Sequence, residues 1–279
     1  MLLYRTDRGI GSGDGEMLDL LDVSYGDIAE FIAAGRDALD GAAVRERLRL
    51  SSVKLLAPVR PRGRIILNGL NYVDHVQEGA MRMPEAPVFL DIDDVGLCDP
   101  GTDILLPAES PDKVDYECEL VLIVTQAGGN IPAEAAWQHI GGLTAGNDVS
   151  ARDVQLAGID EGRLVRLDQV RRGKTFPTFK PLGPSVLVTQ DICLPLDLRL
   201  TTRVNGEIRQ DARTSQMIFD IPTVIEHVSR QFRLEVGDII FSGTPSGCAV
   251  GTGRYLMAGD RVEVSVESIG TLESRVVRR

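Results

Sequence analysis

The chain has 279 residues, of which 43% are hydrophobic, 25% charged and 5% aromatic. That suits one large domain, or one domain with a small appendage, and a substantial core. A mean hydropathy of −0.01, with 29 Gly and 14 Pro, excludes collagen, coiled coil and disorder as the dominant state. Lys plus Arg number 30 against 41 Asp plus Glu, a net charge of −11. Nucleic acid is therefore not expected as a partner, because neutralising phosphates takes clustered basic side chains.

No apolar run reaches the ~18–20 residues of a bilayer span, so no membrane partner is expected either. The opening residues carry no basic stretch followed by an apolar one, hence no secretory signal is expected. Cys98, Cys118, Cys193 and Cys248 are isolated and lack metal-type spacing. They read as free thiols in a reducing compartment, which makes the cytoplasm the expected location.

In chain order, residues 26–40 read as helical, with Ile28, Phe31, Ile32 and Leu39 forming a partial apolar stripe. Residues 42–50 (AAVRERLRL) read as a second short helix. Pro58, Pro61 and Gly63 then punctuate the chain and divide a small N-terminal domain, 1–60, from a larger unit, 61–279. Beyond the apolar run 65–67, strands are predicted at 118–124, 184–188, 197–204, 237–241 and 261–266, each bounded by Gly, Pro, Asn or Asp. The text L-x-x-G-D occurs at 234–238 and 256–260, each time as a tight turn into a strand. Val204-Asn205-Gly206 signals a hairpin. Short helices are predicted at 133–140, 150–156 and 221–231. The fold class is a β-rich α+β roll or sandwich with peripheral helices.

The most informative stretch is VDYECELVLIV, 114–124. As one continuous strand it would put Asp115, Glu117 and Glu119 on one face, since side chains alternate. Carboxylates entering a buried face without Lys or Arg repel one another. A divalent cation would relieve this, because Mg²⁺, Mn²⁺ and Ca²⁺ favour oxygen ligands; a solvated strand end would relieve it equally. Asp148, before a short helix, reads alone as an N-cap and beside the glutamates as a third carboxylate. If Asn71 caps a helix, His75 and Glu78 share one face at i, i+3. That is either surface decoration or an acid–base pair. His139 and His227 read as structural. Lys174 sits in a loop flanked by Gly and Pro, and SGTPSG (242–247) follows a strand with glycines that permit close backbone approach. The sequence has no phosphate-binding loop, nucleophile elbow or dinucleotide fingerprint.

The texts GLNYVDHVQE (69–78), VDYECEL (114–120), GNDVSARDVQ (146–155), GKTFPTF (173–179), PLGP (181–184), VNGEIRQ (204–210) and SGTPSG (242–247), in this order, resemble the fumarylacetoacetate hydrolase family over about residues 60–277. Within that family the chain resembles the smaller bacterial members with a short N-terminal domain, often called acylpyruvate hydrolases or 2-hydroxyhepta-2,4-diene-1,7-dioate isomerases. The resemblance implies that family's mixed β-roll, a homodimer, and one Mg²⁺ or Mn²⁺ per subunit, with Ca²⁺ as a substitute. It places Glu117, Glu119 and Asp148 at the metal-ligand positions and His75 and Glu78 at the water-activating dyad. Lys174 matches the lysine that holds substrate oxygens, and Arg152, Gln155 and Thr244 match pocket positions. Two departures, Asp91 in place of Lys and Pro177 in place of Asp, bear on the substrate.

The activity so implied is metal-dependent hydrolysis of the C–C bond of acylpyruvate-type 2,4-dioxo acids. Isomerisation of a dienol diacid and decarboxylation of oxaloacetate would use the same site, because all pass through an enolate. A non-catalytic oxo-acid binding protein is the alternative of another class, against which stands the complete set of dyad, lysine and carboxylates.

Overall fold

The computed structural model describes residues 1–60, 63–160 and 163–278. At its centre is the Cys118–Val124 strand, buried at every position. Alternation sends Leu120, Leu122 and Val124 into one core and Val121 and Ile123 into another. Full burial of such a side chain contributes about 1.5–3 kcal/mol, so the strand is a rigid base for polar groups at its end. It pairs antiparallel with Ile140–Asn147 on one side and Ile239–Phe241 on the other.

Among the described residues these strands belong to an eleven-stranded sheet running from Val44–Arg49 at one end to Val88–Ile92 at the other. A five-stranded sheet contributes Leu200, Val262, Val264 and Val266 to the first core, where helix Ile221–Gln231 adds Val224, Ile225 and Val228. Helix Ile28–Ala33 brings Ile28, Phe31 and Ile32 to the second. The fold is the expected β-rich α+β sandwich with peripheral helices.

Residues 1–60 extend the main sheet, with Leu2–Thr6 pairing against Lys180–Val188. The boundary placed after residue 60 abuts Pro61 and Arg62, which lie outside the described residues. Strands Leu2–Thr6, Gly9–Gly13 and Met17–Leu21 were not foreseen. The expected helix at 42–50 is instead the strand Val44–Arg49. It lies at the sheet edge with only Leu48 buried, and Arg47 stands opposite Asp19 at 3.5 Å. An edge tolerates a charged outer row, and pairing with Met17–Leu21 overrides the helical preference of Arg and Glu.

Both L-x-x-G-D texts form the same turn. Gly237 and Gly259 take φ of 95° and 97°. The Asp238 and Asp260 carboxylates accept the backbone N–H of Glu235 and Met257 at 2.9 and 2.8 Å. Asn205 and Gly206 also have positive φ and close the hairpin between Arg199–Val204 and Glu207–Arg213. The continuous strand expected at 114–124 is broken: Val114–Asp115 pairs with Ser150–Ala151, and the long strand starts at Cys118. The helix expected from residue 150 begins at Arg152, and the one expected over 133–140 ends at His139, where a strand takes over.

Candidate functional site

The register of Cys118 opposite Asn147, with the Asp148 N–H donating to Glu117 O at 2.9 Å, sets Asp148 beside the start of the long strand. Glu117, Glu119 and Asp148 thereby each bring one carboxylate oxygen within 4.8 Å of the others, and all three are buried. Asp115 does not join them. The break at Tyr116 and Glu117 turns it to Arg152, whose Nε donates to Asp115 Oδ2 at 2.7 Å, and it also accepts the N–H groups of Ala249 and Val250. Asp148 is no N-cap, since helix Arg152–Leu156 starts from Ala151 without a side-chain cap.

Lys174 is the last residue of helix Leu167–Lys174, not part of a loop. Its buried Nζ donates to Glu117 and, at 2.7 Å, to Asp148 Oδ2. Arg152 Nη2 reaches Glu117 Oε1 at 2.5 Å. Lys180, fully buried and not foreseen, lies 2.7 Å from Asp148 Oδ1 and donates to the carbonyls of Val149 and Lys174. Its signal in the sequence was a lysine inside an otherwise apolar stretch.

Burial alone would raise Glu117, but Arg152, then Lys174 and His75, outweigh it and hold its carboxyl well below the usual range. Burial likewise opposes the Lys174 charge, yet Asp148 and Glu117 keep its pKa above the ordinary value. Glu119 differs. Burial, then the charges of Asp148 and Glu117, push it well above the usual carboxylate range. Its hydrogen-bond donor is the Gly243 N–H at 2.7 Å, and among the described residues it has no ion pair. Three converging oxygens, one on a carboxylate without a cationic partner, suit a hard divalent cation.

His75 and Glu78 lie on helix Val73–Glu78, with His75 buried and its Nδ1 3.8 Å from Glu78 Oε2. Asn71 does not cap this helix. Its side chain instead donates to Phe219 O and Ser242 O and accepts the Phe219 N–H, clasping two distant segments. The Gly-rich segment after Ile239–Phe241 ties the dyad to the triad. Gly243 N–H holds Glu119, Gly247 N–H donates to Glu78, and Ser246 Oγ donates to Asp74. At Gly251 a Cβ would lie 1.9 Å from Glu78 Cγ, so only glycine lets that side chain pass.

Of the pocket positions, Arg152 stands against Glu117, and Gln155 Oε1 accepts from Arg152 Nη1 at 2.9 Å. The Thr244 hydroxyl is committed elsewhere, donating to Cys118 O and accepting from Gln210. Asp91 is paired with Arg171, which lies on the Lys174 helix. Pro177 lines an open surface groove with Phe176 and Leu105. His139 Nδ1 lies 2.9 Å from Gln126 O, and His227 Nδ1 lies 2.9 Å from Thr223 O, one helical turn earlier.

The family model described as fumarylacetoacetate (FAA) hydrolase C-terminal matches residues 64–277. Among curated proteins, oxaloacetate tautomerase YisK of Bacillus subtilis is 38% identical over 234 residues, 81% of this chain and 74% of that protein. A putative HpcE protein of Mycobacterium smegmatis superposes with a TM-score of 0.87 at 32% identity, covering 100% of this chain and 99% of that one. Fumarylpyruvate hydrolase of Pseudomonas aeruginosa, solved with Mn²⁺ and pyruvate, gives a TM-score of 0.70 at 28% identity over 80% of this chain and 91% of that one.

Proposed function

Because the chain belongs to the fumarylacetoacetate hydrolase family, whose members are enzymes, we propose that it catalyses proton transfer at C3 of a 2-oxo acid bearing a further carbonyl group at C4, with oxaloacetate keto–enol tautomerisation as the leading reaction. The observation that carries this reading is His75 Nδ1, buried without a hydrogen-bond partner, on a side chain near enough to the triad to act on the Glu117 charge. A buried base with a free nitrogen suits proton transfer to and from carbon. The YisK relative supports the choice of oxaloacetate.

A divalent cation, Mg²⁺ or Mn²⁺, held by Glu117, Glu119 and Asp148 would supply Lewis acidity to the substrate oxygen that gains negative charge. His75 accepts the C3 proton, and Glu78 at 3.8 Å balances the imidazolium so formed. His75 then delivers that proton to the substrate oxygen; in the enol-to-keto direction it takes the proton from that oxygen and delivers it to C3. Lys174 and Arg152 hold Glu117 ionised, and Lys180 stands 2.7 Å from Asp148 Oδ1 and fixes that side chain in place. Burial of His75 keeps bulk water from competing for the proton.

The Pseudomonas hydrolase with Mn²⁺ and pyruvate favours a second reading, hydrolysis of acylpyruvate-type 2,4-dioxo acids. There His75 and Glu78 would take the proton from water. Decarboxylation would use the same carboxylates and dispense with the dyad. The working form is proposed as a cytoplasmic homodimer, on the family resemblance.

The test follows enol absorbance of oxaloacetate, and cleavage of acylpyruvates, with Mg²⁺ or Mn²⁺. Catalysed enol loss that disappears in His75→Ala supports tautomerisation. Cleavage of acylpyruvates without enol–keto catalysis moves the assignment to the hydrolase. Binding of oxo acids without turnover of any would leave the binding-protein alternative.

A further inference from the structure

A second cluster of ligating atoms lies on the dyad side of the site. His75, Glu78 and Cys248 each offer an atom within 4.8 Å of the other two. They reach this point from the Val73–Glu78 helix and from the residue just before the Ala249–Thr252 helix. Cys248 is fully buried, accepting from Gln210 Nε2 at 3.3 Å and facing Pro245 O at 3.6 Å. Glu78 is held by the Gly247 N–H at 3.1 Å, one residue before the thiol. Independently of the cluster, His75 Nδ1 is buried and lacks any hydrogen-bond partner, while its side chain is only 8% exposed. A buried imidazole nitrogen with nothing to bond is costly unless something binds it.

The two clusters differ in chemistry. Glu117, Glu119 and Asp148 present oxygen alone, the preference of Mg²⁺ and Mn²⁺. His75, Glu78 and Cys248 present nitrogen, oxygen and sulfur, the donor set of Zn²⁺ with a fourth position open. We propose that His75, Glu78 and Cys248 form an inhibitory site for a thiophilic divalent cation, Zn²⁺, beside the oxygen-ligand site. As the Zn–S bond forms, the Cys248 thiol proton leaves to solvent. The cation takes the imidazole nitrogen, so His75 can no longer accept a proton. Inhibition therefore rests on the catalytic role proposed for His75, whereas binding does not.

The experiment titrates metal-free protein, first saturated with Mg²⁺, with Co²⁺ as the spectroscopic probe and then with Zn²⁺. The expected result is a thiolate-to-cobalt charge-transfer band equivalent to one Co²⁺ per chain, which Zn²⁺ displaces. Co²⁺ that enters the oxygen site contributes no such band. Cys248→Ala should abolish it, and Glu119→Gln, which cripples the oxygen site, should retain it. Should Cys248→Ala fold poorly, His75→Ala keeps the thiol and should weaken Co²⁺ binding by at least the ~10–100-fold that loss of an outer-sphere partner costs. In turnover assays with Mg²⁺, Cys248→Ala should stay active and resist Zn²⁺. A wild-type protein without the band, a band that survives in Cys248→Ala, or Co²⁺ affinity unchanged in His75→Ala each overturns the site. A band without zinc-sensitive turnover refutes the role given to His75 and leaves the binding site standing.

Discussion

Glu119→Gln should reverse its effect on stability when the metal is added. In the metal-free protein Glu119 is a buried carboxylate held by one backbone N–H and facing the charges of Asp148 and Glu117. Its folded-state pKa is raised, so protonation favours the folded protein. That stability is fully present below the unfolded pKa and is lost as pH rises through the folded value. Near pH 8, replacing the carboxylate by an amide should then stabilise the metal-free protein by about 1–3 kcal/mol, the usual cost of an unsatisfied buried group. With Mn²⁺ the order inverts. At 100-fold excess over Kd, binding adds about 2.7 kcal/mol to the wild type, or roughly 5–10 °C in Tm for a chain of this size. The variant, lacking one of three ligands, should gain little. Thermal melts of both proteins at pH 6 and pH 8, with and without Mn²⁺, give the crossing directly. The Mn²⁺ gain of the wild type should also vary with pH, because Glu119 must shed a proton to bind. An equal Mn²⁺ shift in both proteins would falsify the assignment of Glu119 as a ligand, and a less stable metal-free variant at pH 8 would show that its charge is compensated after all.

Three further outcomes are expected. His75→Ala should lower kcat for enol–keto conversion by ~10²–10⁴-fold while keeping the Mn²⁺-induced rise in Tm, so steady-state kinetics beside melts separate the base from the metal site. Gly251→Ala puts a Cβ 1.9 Å from Glu78 Cγ; it should displace Glu78 and depress kcat in a protein that still binds Mn²⁺, and unchanged kcat would mean the glutamate is dispensable. Lys180→Met leaves Asp148 without one of its two lysine partners, and should cost about 3–5 kcal/mol in urea unfolding, as loss of one member of a buried ion pair does.

Local sequence carried the parts of the structure whose cause is local. Alternation along Cys118–Val124 identified the central strand and its two faces. The Asn205–Gly206 hairpin and the twin L-x-x-G-D turns were legible because left-handed backbone at these positions selects Asn or Gly. The helix Ile221–Gln231 was also legible, at the bounds the structure gives it. In the site, acidic residues entering an apolar run marked Glu117 and Glu119 chemically, although solvated carboxylates explained the pattern equally well.

Tertiary structure decided what depends on distant partners. Val44–Arg49 has a helical composition, and only the neighbouring Met17–Leu21 makes it a strand. Asp115 looked like the equal of Glu117 and Glu119. The strand break at Tyr116 and Glu117, enforced by the Asn147 side chain on Glu117 N–H and by pairing with Ser150, hands it to Arg152 instead. The roles of Lys180, Asn71 and Cys248 rest on contacts with residues far along the chain or on a cluster formed by two segments, and nothing in their immediate neighbours specifies them. The physical reason is one of range. Side-chain alternation and turn dihedrals are set within a few residues, whereas the charge state of a buried carboxylate is set by whichever cations the fold brings within ~4–6 Å of it.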